Sequence, residues 1–303
     1  MTVPDLAPHA TADTSRPTAP VWPKVIRWVI MIVILVPFIW SVAGLKISID
    51  RMWAAPGQVM VLVTGMLPPD FSNTPRLMGK LLESIYVAWI GTMIGAIFSF
   101  PLAFAAASNI APRWLVVPVR ALLSAIRAFP ELILAIIFIV PFGLGAFTGA
   151  MAIGLHSIGT LGKLSSEVIE GVDDGPIEAI GASGGTRLQR MRFGVVPQAM
   201  PNIVAYWLYR FEINVRASAV LGLVGAGGIG GEIINRMRFR NDWPKAGAAL
   251  ILTVVAVLII DAVSSSIRRR IISGQPSEAP ISKWMTAITG ASRDPRIVPA
   301  DQI

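Results

Sequence analysis

The sequence predicts an all-α polytopic membrane protein with six transmembrane helices, and three observations carry that expectation. Charged residues make up only 15% of the 303 residues against 54% hydrophobic, with mean hydropathy +0.65, whereas soluble domains carry about 25% charged residues. Apolar runs recur near 25–45, 82–107, 119–140, 144–162, 197–221 and 246–267, each close to the roughly 20 residues that a bilayer-crossing helix needs. Lys and Arg gather at the ends of those runs and in Arg268-Arg269-Arg270, the distribution that sets orientation in a bilayer. They do not line a polar face interleaved with aromatics, so the net charge of +8 indicates a lipid bilayer rather than nucleic acid as the surrounding partner.

Taken in order, residues 1–23 are rich in Pro, Ala and Thr and are expected to be a disordered cytoplasmic N-terminus. Residues 24–75 hold the first span and an external segment. Lys24 and Arg27 precede the apolar run from Trp28 to Leu45. Ser41-Val42-Ala43 has the small-residue form of a signal cleavage site, but a long polar region precedes the run and Pro37 sits late in it, so the run reads as an uncleaved anchor. Residues 76–270 form the core, with a cytoplasmic loop at 163–196. Arg127 and Pro130-Glu131 interrupt the third span; Pro130 lacks a backbone donor and favours a kinked or two-piece helix there. Residues 271–303 are a cytoplasmic tail, in which 281–288, with Lys283 and Trp284, form a short interfacial helix. The balance of Lys and Arg places both termini in the cytoplasm. It leaves Arg236, Arg238, Arg240 and Lys245 as an external basic cluster, either a vestibule that concentrates an anionic substrate or a contact for an acidic partner.

Several functions are excluded or weakened. The chain has no cysteine, which removes disulfides, thiolate zinc sites and iron–sulfur ligation, and His9 and His156 are too few and too far apart for a His-built metal site. No G-x-x-x-x-G-K-[ST] phosphate loop occurs; Gly162-Lys163 is followed by Leu164, so this chain does not hydrolyse ATP. Gly225-Ala226-Gly227-Gly228-Ile229-Gly230 spells G-x-G-x-x-G, but a dinucleotide site needs a preceding strand and an acidic residue about 20 positions on. A membrane helix precedes it instead. Gly225, Gly227, Gly228 and Gly230 are read as a gate or close-packing element of non-helical backbone shielded from lipid. No nucleophile–base pair marks a membrane enzyme.

The polar loop before the fifth span has local signals of its own. Asp174-Gly175-Pro176 reads as a helix start, with Asp capping and Pro in the first turn. A short helix then carries Glu178 and Ala179, and Gly184-Gly185 supplies a left-handed stop. Thr186 with Gln189 resembles a capping box for a second helix carrying Arg187, Arg190 and Arg192 before Pro197 opens the next span.

Glu178-Ala179-Ile180, Gly184 and Gly194-Val195-Val196-Pro197 resemble the EAA loop of ABC-importer permeases, at that loop's spacing. The departures are Ile180 for the second Ala, Gly194 for Ile and Val196 for Leu. Arg127-Ala128-Phe129-Pro130-Glu131, Tyr209-Arg210-Phe211-Glu212-Ile213-Asn214-Val215-Arg216 and the glycine run at 225–230 are similar to the phosphonate-type branch of that family, over roughly residues 76–270. The resemblance implies a type I ABC importer permease fold in a bacterial inner membrane. It implies a homodimer whose Glu178, Ala179, Gly184 and Pro197 loops dock on two copies of an ABC ATPase subunit, and an extracytoplasmic substrate-binding protein. ATP-Mg would be held by the ATPase and no cofactor by this chain. The implied substrate is a phosphonate, phosphite or phosphate.

Charges inside the spans are the candidates for the substrate pathway. Arg127 and Glu131 are four apart, as are Glu212 and Arg216, so each couple is placed to neutralise itself on one helix face, as unpaired charges in membranes are costly. Arg210 has Tyr206 and Asn214 at its helical neighbours and is the expected pore-facing cation, with Asn214 as an amide donor; pairing with Asp261 and snorkelling are its alternatives. Gly91–Gly95 and Gly145–Gly149 have the spacing of close helix contacts, and His156 reads as a hydrogen-bonded core residue. Two other readings stand beside this one: a methionine or other amino-acid permease, and an ion-coupled secondary transporter, for which Glu83 and Asp261 are the available acids.

Overall fold

A computed structural model describes residues 22–45 and 48–273; the expected disordered stretch up to residue 21 and the interfacial helix at 281–288 lie outside them. Every regular element among the described residues is helical. Contacts divide the chain into two units, Met1–Val61 and Leu62–Ile303.

In the first unit α1 (Trp22–Gly44) exposes apolar side chains on all sides, among them Ile30, Val33, Phe38 and Trp40, as a helix surrounded by lipid does. A second helix, α2 (Ile49–Gly65), begins in this unit and runs past its boundary, where only an external segment was expected. Pro56 and Gly57 inside a 17-residue helix weaken the local helical signal.

The second unit is built on α3 (Thr74–Ala106) and α6 (Ala146–Glu170). These two lie together because glycines remove the side chains between them. A Cβ on Gly91 would stand 2.6 Å from Ile153 Cγ2, and one on Gly154 2.9 Å from Ile94 Cγ2; Gly95 meets Ser157 in the same way. Small residues at such positions let helix backbones approach closely. Around this pair stand α4 (Arg113–Ala128), α5 (Glu131–Phe142), α9 (Val196–Leu221) and α11 (Trp243–Ser273). Three apolar clusters follow the bundle: Leu77, Leu81, Ile229 and Ala248 at one end, Val87, Ala135, Ile153 and Leu221 between, and Ala103, Ile169, Val195 and Ile203 at the other.

The third span is in two pieces, as Pro130 implied. Pro130 caps α5, and α4 and α5 meet at 88°. The expected number of six spans is not reproduced by length and apolarity. Three helices meet that test (Ile26–Gly44, Thr74–Ala106, Trp243–Ile272), and two bent pairs bring the number to five. The expected fourth span is α6, a 25-residue helix that is not among them. Its many Gly, Ser and Thr residues are buried against protein, so this central helix has little need of a lipid-facing surface.

Candidate functional site

The polar loop is organised by its own caps. Asp173, one residue before the expected Asp174, caps α7 (Asp174–Ala182) by accepting from the Gly175 N–H at 3.0 Å. Glu178 and Ala179 are exposed, and α7 buries none of its residues. The chain turns at Gly184, φ +82°, and the Gly185 N–H closes the helix on the Ile180 carbonyl at 2.9 Å. The Thr186–Gln189 capping box is present in both directions, at 3.3 and 2.7 Å.

The second helix is not separate, however. The short α8 (Arg187–Gln189) passes through a π-helical segment, Arg190–Val195, straight into α9. Pro197 therefore lies inside a continuous helix rather than opening a new one. A proline lacks the N–H of the helical ladder, and the wider π turn before it fits that missing donor. Gln198 ties the two ends of the loop together: its amide donates to Gly194 O (2.8 Å) and Asp173 O (3.1 Å), and its carbonyl accepts from the Asp173 N–H. No motif singled out Gln198.

Glu131, Arg210, Glu212 and Arg216 do not pair along their own helices. Arg210, 6% exposed, is paired with the Glu131 carboxylate, and its Nε donates to Ser157 Oγ at 3.0 Å. It thus has an acid, supplied by another helix. The same Ser157 hydroxyl accepts from Asn214 Nδ2 (3.1 Å), which also donates to Thr92 Oγ1 (2.8 Å). Asn214 is fully buried, and its Oδ1 is without a hydrogen-bond partner. His156 places Nδ1 3.0 Å from Phe129 O and Nε2 3.7 Å from Glu131. Because a carbonyl only accepts, Nδ1 carries the proton. His156 is the hydrogen-bonded residue expected, and it also fixes the chain at the α4–α5 break.

Both expected couples are thereby corrected. Glu131 goes to Arg210 rather than Arg127; Arg216 donates to Asp261 at 2.6 Å rather than to Glu212; and Glu212 is met by Arg268 at 3.2 Å. Arg268, expected in the cytoplasmic stop cluster, also lies over the Tyr209 ring at 5.5 Å. Asp261 is accordingly engaged by Arg216 and not by Arg210.

The glycine run is tight turning backbone. Gly225, Gly227 and Gly228 have φ of +88°, +77° and +79°, a region that favours glycine. Gly230, on α10 (Gly228–Ile234), lies against the Ala219 carbonyl with no room for a Cβ. Two side chains from α3 hold the run: Glu83 accepts from the Gly228 N–H (3.1 Å) and Ser84 from the Ile229 N–H (2.9 Å). Glu83 is also paired with Lys80 at 2.6 Å. Neither acid set aside for an ion-coupled carrier, Glu83 or Asp261, stands alone.

Two residues of the external basic cluster, Arg236 and Lys245, are engaged by acids. Arg236 is 1% exposed, faces Glu232 at 2.7 Å and approaches Asp242 at 3.5 Å. The Arg236–Glu232 contact is an ion pair without hydrogen-bond angles, for both facing atoms lack a hydrogen-bond partner. Lys245 pairs with Asp242 (3.1 Å) and Asp70 (3.6 Å). Hydrogen bonds from Ser72, opposed by desolvation and aided by Lys245, hold the Asp70 carboxyl below its ordinary range. Only Arg238 and Arg240 of the four are exposed and without an ion pair among the described residues.

Residues 99–273 match the family described as binding-protein-dependent transport system inner membrane component. A phosphite transport system permease protein of Stutzerimonas stutzeri is 41% identical over 212 residues, covering 70% of this chain and 77% of that protein. A phosphate-import permease protein of Mycolicibacterium smegmatis is 37% identical over 225 residues, 73% of this chain and 41% of that protein. Among solved structures, an inward-facing methionine ABC transporter chain superposes with a TM-score of 0.58 at 22% identity, covering 64% of this chain and 96% of that one; this likeness shows the type I importer permease fold. The chain belongs to the binding-protein-dependent transport system inner membrane component family, as a multi-pass inner-membrane subunit that works with a separate ATPase and a substrate-binding protein and is not itself an enzyme.

Proposed function

We propose that this chain is the permease of an ATP-driven importer of a phosphorus oxyanion: phosphite, phosphate or a phosphonate. The observation that carries the reading is its 41% identity to a phosphite permease together with 37% to a phosphate-import permease. Two copies of the chain form the pathway, each docking Glu178 and Ala179 of α7, held by the Gly184 corner and by the continuous helix through Pro197, on one of two ATPase subunits. Those subunits hold ATP-Mg, and the permease binds no cofactor. Both termini lie in the cytoplasm. An external binding protein delivers substrate, and closure of the ATPases moves α7.

The buried network then has a mechanical part. Arg210 and Asn214 join α3, α5, α6 and α9 through Thr92, Glu131 and Ser157. Glu212 and Arg216 join α9 to α11. A pull on α9 from the loop, with which it is continuous, is thus passed to helices on both sides. At the other end of α9 the Gly225–Gly230 turns form the gate.

Uptake by vesicles carrying this chain with its neighbouring ATPase and binding protein tests the reading. Labelled methylphosphonate, phosphite, phosphate and methionine are compared. The expected result is ATP-dependent, uncoupler-insensitive uptake of one or more phosphorus oxyanions. Uptake confined to methionine overturns it.

A further inference from the structure

We propose that Arg127 is the cation that touches the substrate, an oxyanion-binding guanidinium at the α4–α5 elbow. The inference rests on the oxyanion-import reading above. On a continuous helix Glu131 would lie one turn from Arg127 and neutralise it. Here the 88° break at Pro130 turns α5 away, and Glu131 is taken by Arg210 with His156 beside it. The other arginines inside the expected third and fifth spans, Arg120, Arg210 and Arg216, each have an acid. Arg127 makes no ion pair with any described residue and is exposed on the single chain.

Its depth and its face both point to the pathway. The Arg127 backbone N stands 3.0 Å from where a Cβ of Gly159 would lie. Gly159 is two residues from Ser157, which packs on Gly95, near the middle of the apolar run at 82–107. Arg113, Arg120 and Arg127 recur at seven-residue spacing, so at about 100° per residue they share one stripe of α4. That stripe flanks Val116 and Leu123, the buried residues of α4, whose Leu123 lies against Gly162 of α6. Trp114, Val117 and Leu122 form the exposed apolar face. Lower on the stripe, Arg120 is already paired with Glu170.

An uncompensated arginine at mid-bilayer is unfavourable unless it meets water or an anion. The planar guanidinium fork matches two oxygens of a phosphorus oxyanion at once. Asn214 and Ser157, committed to Arg210 and Thr92, are not available in its place.

The chain has no cysteine, so Arg127→Cys introduces its only thiol, and the complex is assembled with cysteine-free partner subunits. ATP-dependent uptake of radiolabelled phosphate and phosphite into proteoliposomes is expected to fall about tenfold or more. Reaction with a positively charged aminoethyl thiosulfonate should restore uptake, the negatively charged sulfonatoethyl reagent should not, and phosphate should slow the modification. A thiol unreactive toward both reagents, with and without ATP, overturns the proposal, as does equal rescue by both. Uptake by Arg127→Cys within about twofold of an active wild type overturns it alone. Uptake of neither anion by a wild type that carries methionine removes the oxyanion reading and this inference together. If Arg127→Cys and the charge-keeping Arg127→Lys both fail to assemble with the ATPase, the residue is structural and the proposal falls.

Discussion

Arg216 donates to Asp261 at 2.6 Å although Glu212 stands one turn before it on the same helix. Glu212 is instead met by Arg268 at 3.2 Å, so two ion pairs cross the α9–α11 seam in antiparallel register. A helix face shared at i and i+4 offers a pair worth only about 0.2–0.5 kcal/mol. A crossing pair also ties two helices together.

Exchanging the charges tests that seam. Arg216→Asp or Asp261→Arg alone should lower stability by about 2.5 kcal/mol or more, the order of an unmatched charge in a membrane helix. The double exchange should recover most of it, read as the thermal midpoint of the purified complex. Recovery by exchanging Arg216 with Glu212 instead would mean that the seam is wrongly assigned.

Breaking the Arg210–Glu131 pair should be more damaging than deleting it. Arg210→Met leaves Glu131 facing His156 alone, and the loss is expected at about 3–5 kcal/mol. Arg210→Met combined with Glu131→Leu should cost less than either single change. Thermal unfolding of the four proteins in one detergent gives the cycle, and strict additivity speaks against a direct pair.

At the loop corner two adjacent glycines should respond differently. A Cβ on Gly184 meets open space, but φ is +82°, so Gly184→Ala costs about 1 kcal/mol. A Cβ on Gly185 would stand 2.6 Å from the Ile180 carbonyl, backbone that cannot step aside. Gly185→Ala should therefore disturb the transport-to-ATP-hydrolysis ratio more than Gly184→Ala does. Equal ratios for the two count against the corner's geometry.

Glu170, beyond the expected fourth span, sets a pH dependence. Burial raises its carboxyl, but hydrogen bonds from Ser108 and the Arg120 guanidinium outweigh that and hold it below the ordinary range. A carboxyl lowered on folding contributes stability above its unfolded pKa of about 4.3 and loses it as pH falls through the folded value. Unfolding measured from pH 6 downward should show wild type converging on Glu170→Gln; parallel curves count against the contribution.

Short-range features were legible in the residues. Pro130 announced the break in the third span, Gly184 the turn and Thr186–Gln189 the capping box, each within a few residues of its partner. The role of Gln198 was not, because its partner Asp173 lies 25 residues away; the π segment before Pro197 and the α2 helix, with Pro56 and Gly57 inside it, run against local helical preference. The central helix α6 was legible as the apolar run at 144–162, although its buried Gly, Ser and Thr residues make it more polar than a lipid-facing helix.

The chain's composition and periodicity by themselves determined an all-α membrane protein with a polar, glycine-cornered loop, since apolar length and caps are properties of consecutive residues. Which charge meets which was decided only by the tertiary structure. Glu131 lies 79 residues from Arg210 in sequence and only four from Arg127. The angle at Pro130 and the register of α9 on α6 bring the distant pair together and leave Arg127 with no ion pair among the described residues.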